Sequence, residues 1–367
     1  MEKVKSLWTK NKNYVLTLIA CIAIALVIGA ILMLAAGYNP INGYSAMLKG
    51  ALGSPRCLGN TLDKSMTLCL LGLATAIGAK GGLFNVGGEG QLFMGALFST
   101  MMGLWLCDLP GFIVIIIAIL SAIVAGGFYA WIPAVLKVKL GVDEVITTIM
   151  LNTVAIKICT WLVNGPWNSP LKSITTGTDY LPDEFRFGKV IAASNMTTSF
   201  IYGAIVAFLI WYLLKKTTTG LQIKLVGENP KFAKFAGLKA DNLGIISMVI
   251  SGAICGLVGM FLVYGFEGHM TASCSNSYYF DGMLVAMIMR YNPVGTIVMS
   301  FFFGILATGA TNMELMYGIP NQLYDIIFAT IIFLMAAENG FSQYLENKRT
   351  QKAAAKAQKA KLGKEEA

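Results

Sequence analysis

Apolar residues run along this chain in long windows separated by short polar stretches, near 14–36, 63–79, 83–106, 112–136, 144–163, 199–214, 243–264, 281–290, 294–310 and 320–337. Most of these ten windows approach the length, about 17–25 residues, that a helix rising about 1.5 Å per residue needs to cross a hydrocarbon core of about 30 Å. The clearest is 14–36, which holds no charge and is preceded by Lys3, Lys5, Lys10 and Lys12. Its apolar run is too long for a secretory signal and has no small-residue cleavage motif, so it is read as the first span, retained. The window at 281–290 is too short to cross and is followed by Asn292 and Pro293, which marks half of a broken or re-entrant helix. The pattern predicts an all-α polytopic membrane bundle of about ten transmembrane or re-entrant segments, with broken helices at its centre.

Composition agrees. The chain is 56% hydrophobic and 13% charged, with a mean hydropathy of +0.66, whereas soluble domains carry about 25% charged residues. An even number of crossings puts both termini on one side, and basic residues indicate which. Residues 1–13 hold four Lys against Glu2, a net of +3; residues 215–242 hold six Lys against Glu228 and Asp241, a net of +4; residues 341–367 hold seven Lys or Arg against three Glu, again +4. The loop 165–198 is neutral, with Lys172, Arg186 and Lys189 opposing Asp179, Asp183 and Glu184. Positive charge resists export, so 1–13 is expected to be a cytoplasmic N-terminal segment, 14–340 the transmembrane domain with a cytoplasmic loop 215–242 and an external loop 165–198, and 341–367 a basic cytoplasmic tail. Topology and anionic membrane lipid account for the net charge of +9, so no nucleic-acid partner is needed.

Two stretches carry chemistry. In GGLFNVGGEGQ, residues 81–91, five glycines each weaken a helix by about 1 kcal/mol, while Asn85 and Gln91 offer side-chain hydrogen bonds in place of lost backbone ones. The helix is expected to break here, inside the bundle and near a solute route. Glu89 would be costly against lipid and must face the interior or an aqueous boundary. Two roles stay open: it contacts or gates a polar solute, or it caps backbone amides freed by the glycines. A dinucleotide-binding reading of the glycines fails because no βαβ unit surrounds them.

In LVGENPKFAKFAGLKADN, residues 225–242, Asn229 suits an N-cap, Pro230 the first helical position and Gly237 a left-handed C-terminal cap, predicting a helix over 230–236. Phe232, Phe235 and Ala236 would form its apolar face. So short a helix needs a partner surface, either the membrane interface or another protein.

GLFNVGGEGQLFMGA (82–96), VGENPKFAKFAGL (226–238) and FDGMLVAMIMRYNPVG (280–295) together resemble the permease family of ABC importers that handles simple sugars, nucleosides and branched-chain amino acids. The resemblance runs from about residue 14 to residue 340. It implies that the second stretch docks into a cytoplasmic ATPase, a role carried here by Gly227, Glu228, Asn229, Pro230, Ala233, Ala236 and Gly237, with Phe232 and Phe235 beside them. GYNPINGYSAMLKGALGS (37–54) is similar to the nucleoside-transporting branch, whose members work beside a second, different permease chain. The implied function is uptake of nucleosides, purine nucleosides foremost, delivered by an extracytoplasmic substrate-binding lipoprotein. Simple-sugar uptake is the nearest alternative, and an ion-gradient-driven secondary transporter stands further off. Phe84, Asn85, Glu89, Gln91 and Phe93 are the candidate substrate-pathway residues. The family pattern more often carries a single Gly before the Glu than the pair found here, which leaves open the geometry at Gly88.

Other features are bland by comparison. No G-x-x-x-x-G-K-[ST] phosphate loop occurs, so the ATP of such an importer is used by a separate polypeptide and this chain needs no cofactor. The seven cysteines are scattered without a C-x-x-C pair and read as structural thiols, and the single His269 has no zinc-ligand neighbour. One histidine is poor material for an intramembrane enzyme. Asp281, Arg290, Glu314 and Asp325 fall at segment ends, Lys157 lies deeper and must find water or a partner, and Asp143 with Glu144 opens a helix whose dipole favours acids. Trp105, Trp161 and Tyr264, like Phe84 and Phe93, can stack on a base but more simply pack, and Gly252, Gly256 and Gly259 mark close helix contacts.

Overall fold

The computed structural model describes residues 2–169, 176–191 and 193–337; the expected basic tail at 341–367 and residues 170–175 and 192 of the expected external loop lie outside the described residues. In chain order the helices are α1 (Glu2–Ala35), α2 (Pro40–Leu52), α3 (Pro55–Lys80), α4 (Gly88–Trp105), α5 (Gly111–Leu140), α6 (Glu144–Asn164), α7 (Ser199–Lys216), α8 (Thr218–Glu228), α9 (Pro230–Phe235), α10 (Ala240–Phe261), α11 (Tyr278–Ile288), α12 (Pro293–Tyr317) and α13 (Gln322–Ala337). Among the described residues there is no strand, only two isolated bridges, Gly177 to Thr271 and Lys189 to Thr197. Among the described residues, seven helices are long and apolar enough to cross a membrane, and all ten apolar windows of the sequence coincide with helices. The window at 83–106 starts later than expected, at Gly88, because residues 81–87 are not helical. Three helices lie outside the windows: α9, predicted from its capping residues, and α2 and α8, both short, mixed in polarity and without a counterpart in the sequence reading.

The described residues divide into two units, one built from those before 46 and after 312, the other from those between 46 and 312. In the first, Met33, Met313, Ile319 and Leu323 form the buried centre, and Tyr44 donates its hydroxyl to the Leu26 carbonyl at 2.5 Å.

In the second, α4, α5 and α10 pack around a seam of small residues. Gly95 and Gly126 both lie on the backbone of α10 at Gly256, where a methyl group on any of the three would meet main chain. The predicted close contacts through Gly252, Gly256 and Gly259 are therefore present, formed by backbone approach as in other membrane helix pairs. The helix ends follow their caps. Asp143 accepts from the amides of Val145 (2.9 Å) and Ile146 (3.1 Å) to start α6, and Glu144 in the first turn pairs with Lys137 at 2.7 Å. Lys157 is exposed on α6, seven residues before its end at Asn164.

The second unit has two distinct ends. At one end of α3 the Asn60 side chain accepts from the Asn195 amide at 2.8 Å, beside the loop 176–198. That loop is laced to the segment after α10: Thr178 N donates to Met270 O (3.0 Å), Leu181 N to Gly268 O (2.8 Å) and Phe187 N to Tyr264 O (2.9 Å). At the other end of α3, Lys80 to Gly82 meet α8 at Gly227. The described part of the loop 165–198 and the loop 215–242 thus lie at opposite ends of a 26-residue helix about 39 Å long.

Candidate functional site

Residues 81–87 break the polypeptide between α3 and α4, and residues 268–277 break it again between the end of the α10 helix, continued as a wider turn over Leu262–Glu267, and α11. The two breaks meet at a buried polar cluster. Asn85, fully buried at 0% exposure, is its hub. Its Nδ2 donates to Gln91 Oε1 at 2.8 Å and Ser251 Oγ at 2.9 Å, and its Oδ1 accepts from the Gly87 amide at 2.9 Å and Gln91 Nε2 at 3.1 Å. Asn152 of α6 reaches across: its Oδ1 accepts from the Gly90 amide at 2.7 Å and its Nδ2 donates to Val86 O at 2.8 Å. Two asparagines therefore satisfy backbone groups that the break exposes, which a buried site demands.

Glu89, 4% exposed, does something different. Its Oε1 accepts from the Ser275 hydroxyl, and the backbone amides of Ser277 and Tyr279 at the start of α11 face its carboxylate, while Oε2 has no partner at hydrogen-bonding distance among the described residues. Glu89 sits in the first turn of α4 and beside the first turn of α11. It occupies the positive ends of two helix dipoles, each worth about 0.3–1 kcal/mol to an anion and more when partly buried. Of the two amides freed near it, Gly87 and Gly90, neither is capped by Glu89; Asn85 and Asn152 take them.

Tyr279 joins the two halves of the cluster. Its hydroxyl donates to the Asn85 carbonyl and receives the Thr75 hydroxyl at 3.4 Å. Its ring lies across Gly88 so closely that a methyl group there would overlap it, which accounts for the second glycine before Glu89. α11 is flanked by left-handed residues, Asn276 (φ 44) and Ser277 (φ 60) before it, Arg290 (φ 50) and Tyr291 (φ 57) after it. Ser, Arg and Tyr adopt this conformation at a cost of about 1–2 kcal/mol each, held in place by the surrounding packing.

Of the five candidate pathway residues, Asn85, Glu89, Gln91 and Phe93 are buried and Phe84 is half-buried. The first three belong to the cluster; Phe93 lies further along α4 in the apolar core with Leu97, Cys159 and Tyr264. Tyr264 is fully buried and donates to Ser99 O at 2.7 Å, a packing role, and Trp161 is exposed on α6. Ser275, Tyr279, Asn152 and Ser251 belong to the site and were not singled out from sequence. Asn152 had a usable signal, as an amide inside an apolar window, and Ser247 and Ser251 stand one turn apart in another.

The second site is the loop at the opposite end from residues 165–198. Asn229 Oδ1 accepts from Phe232 N at 3.0 Å and Pro230 opens α9, as predicted. Leu238 N donates to Ala233 O (3.0 Å) and Gly237 N to Lys234 O (3.1 Å) around Gly237 at φ 79, a closed helix end that only a residue tolerant of the left-handed region forms easily. The helix ends at Phe235, one residue short of the predicted 236, and Ala236 is its C-cap. Ala233 is the inward residue, in a cluster with Ile223, Val226, Ala240 and Leu243. Phe232, Ala236 and above all Phe235, 92% exposed, point away from the chain. Glu228 pairs loosely with Lys224 at 3.7 Å and Lys234 with Asp241 at 3.0 Å, both exposed. Gly227 lies against Lys80 and Gly82, the start of the first break, with the Gly227 Cα 3.3 Å from where a Gly82 side chain would begin.

Spanning helices, two breaks meeting at a buried polar cluster, and a short capped helix presented at one end define a polytopic membrane transport protein. The chain belongs to the family of branched-chain amino acid transport system permease components, whose model matches residues 57–336. It is similar to the nucleoside ABC transporter permease protein NupB of Lactococcus lactis subsp. cremoris, 35% identical over 339 residues, 90% of this chain and 92% of that protein. It is also similar to the guanosine ABC transporter permease protein NupP of Bacillus subtilis, 31% identical over 332 residues (89% and 94%), and to the glucose ABC transporter permease protein TsgB13 of Haloferax volcanii, 30% identical over 357 residues (92% and 90%). No solved structure matches the chain. Family membership implies a partner ATPase and a substrate-binding protein.

Proposed function

We propose that this chain is one permease subunit of an ATP-driven importer of nucleosides, with both termini and the loop 215–242 in the cytoplasm and the loop 165–198 outside. It works beside a second, different permease chain, takes solute from an extracytoplasmic lipoprotein, and is driven by a cytoplasmic ATPase; it makes or breaks no covalent bond itself. The observation that carries this reading is α9: a capped helix rooted through Ala233 and turning Phe232, 56% exposed, and Phe235, 92% exposed, outward. Exposed aromatics on a rigid, positively charged loop suit a groove in another protein.

The nucleoside assignment rests on relatives named for nucleosides and guanosine that match about nine-tenths of the chain. A simple-sugar importer is the second reading, supported by the glucose permease at 30% identity.

Coupling runs from α9 through α8 to the first break. Gly227 bears on Gly82, and α10 holds the same break at two points, Ser247 against Gly81 and Ser251 on Asn85. Displacement of α9 by the ATPase moves residues 81–87 and loads the bond between Glu89 and Ser275. Asn85, Glu89 and Gln91 are buried while that bond holds, so solute meets them, and Phe84 and Phe93 beside them, only when the two breaks part. Isotope-labelled guanosine uptake into cells, competed with unlabelled nucleosides and with ribose or galactose, tests the assignment. Nucleosides are expected to compete and sugars to leave uptake unchanged; competition by sugars alone would transfer the assignment to the second reading.

A further inference from the structure

A cavity of about 430 Å³ opens at the end of the second unit opposite α9, between the last turns of α4, residues 166–168, Thr178, Asp179 and Met270. Its volume falls in the range of about 300–1,000 Å³ occupied by small-molecule sites. We propose that this cavity is a nucleoside-capturing site at the external mouth of the chain; the inference rests on the nucleoside reading above and assigns a place to it.

The lining fits the three parts of a nucleoside. Two indoles, Trp105 on the rim at 64% exposure and the half-buried Trp167, supply flat faces for a base. Asp179, exposed at the rim, supplies a carboxylate that accepts the two hydroxyls of a ribose cis-diol, and Ser169 fixes it through a 2.5 Å bond to Oδ1. The floor is rigid: Thr178 N donates to Met270 O and Met270 N to the Thr178 hydroxyl, both at 3.0 Å. The site is also wired to the buried cluster. Met270 lines the cavity five residues ahead of Ser275, the partner of Glu89, and α4 runs about 16 Å from the cavity wall at Thr100 down to Glu89. An occupant thus bears on the segment that closes the two breaks.

The test is equilibrium binding to the full-length chain in lipid nanodiscs, without lipoprotein or ATPase, followed by tryptophan fluorescence and labelled guanosine. Saturable guanosine binding is expected, weakened about 5- to 150-fold by Trp167→Ala, the range that stacking on one base spans. Asp179→Asn should weaken guanosine at least several-fold and leave free guanine unchanged, because guanine has no diol. Trp167→Phe, which keeps an aromatic wall, should bind guanosine nearly as wild type and serves where Trp167→Ala unfolds early on heating. Absence of saturable binding, wild-type affinity in Trp167→Ala and Asp179→Asn, or equal displacement by ribose would overturn the proposal. Nucleoside uptake that persists undiminished in cells carrying Asp179→Asn with Trp167→Ala would remove this site and leave the importer standing; a wild-type chain that imports no nucleoside would remove the importer reading itself.

Discussion

Asn85 concentrates the cost of breaking a helix inside a membrane. It has four hydrogen-bonding contacts in full burial, to Gln91, Ser251 and the Gly87 amide. Each buried polar group left unpaired costs about 1–3 kcal/mol. Asn85→Ala is therefore expected to lower the unfolding temperature of the detergent-solubilised protein substantially, measured by thermal unfolding of the purified chain. Glu89→Gln keeps an acceptor for Ser275 and loses only the charge at two helix starts, so its unfolding temperature should fall by clearly less. Equal losses in the two variants would assign Glu89 a larger structural part than its single side-chain bond gives it. The glycines, Asn85 and Glu89 were legible in the sequence because they are out of place in an apolar run. Their partners were not. Ser275 lies 186 residues from Glu89 and Ser251 lies 166 from Asn85, and no local spacing connects residues so far apart.

At the scale of the element, α9 shows how far local rules reach. Asn229, Pro230 and Gly237 place both ends of the helix to within one residue, because capping is decided by the few residues that do it. The facing of the helix was less visible: with only six residues, which side turns inward depends on α8 and α10, and Ala233 rather than a phenylalanine fits there. α8 escaped notice since its helix starts on a Thr217 cap inside a polar loop without an apolar window. The inward and outward faces give opposite expectations. Ala233→Leu overpacks a closed cluster and should destabilise the chain by about 1–3 kcal/mol. Phe235→Asp changes a side chain that is 92% exposed and should leave thermal unfolding unchanged while abolishing copurification with the ATPase. Copurification that survives Phe235→Asp would remove α9 as the docking element. The joint above it predicts a third behaviour. Gly227→Ala would set a methyl group against the Lys80 carbonyl and force α8 away from the first break, so it should slow transport with the ATPase still bound; wild-type transport in Gly227→Ala would show that this contact does not carry the coupling.

For the whole molecule, the hydrophobic windows carried the fold class because bilayer thickness imposes one length on every crossing helix. They carried the connections poorly, since segments that do not cross, such as α2 and α8, obey no such length. The proposed orientation rests on charge alone, and accessibility labelling tests it: a cysteine at Lys231 in a variant without native cysteines should react only from the cytoplasmic side and one at Asp183 only from outside. Reaction of both from one side would contradict the arrangement of ends described by α3.

As proposed, this chain is a conduit moved by another polypeptide's ATP hydrolysis through α9. The most direct test is guanosine uptake into vesicles reconstituted with the chain, its second permease, the ATPase and the lipoprotein. Uptake is expected to require ATP on the ATPase side and to be lost in Phe235→Asp without unfolding of the chain. Uptake by the chain alone, driven by an ion gradient and unaffected by Phe235→Asp, would contradict it.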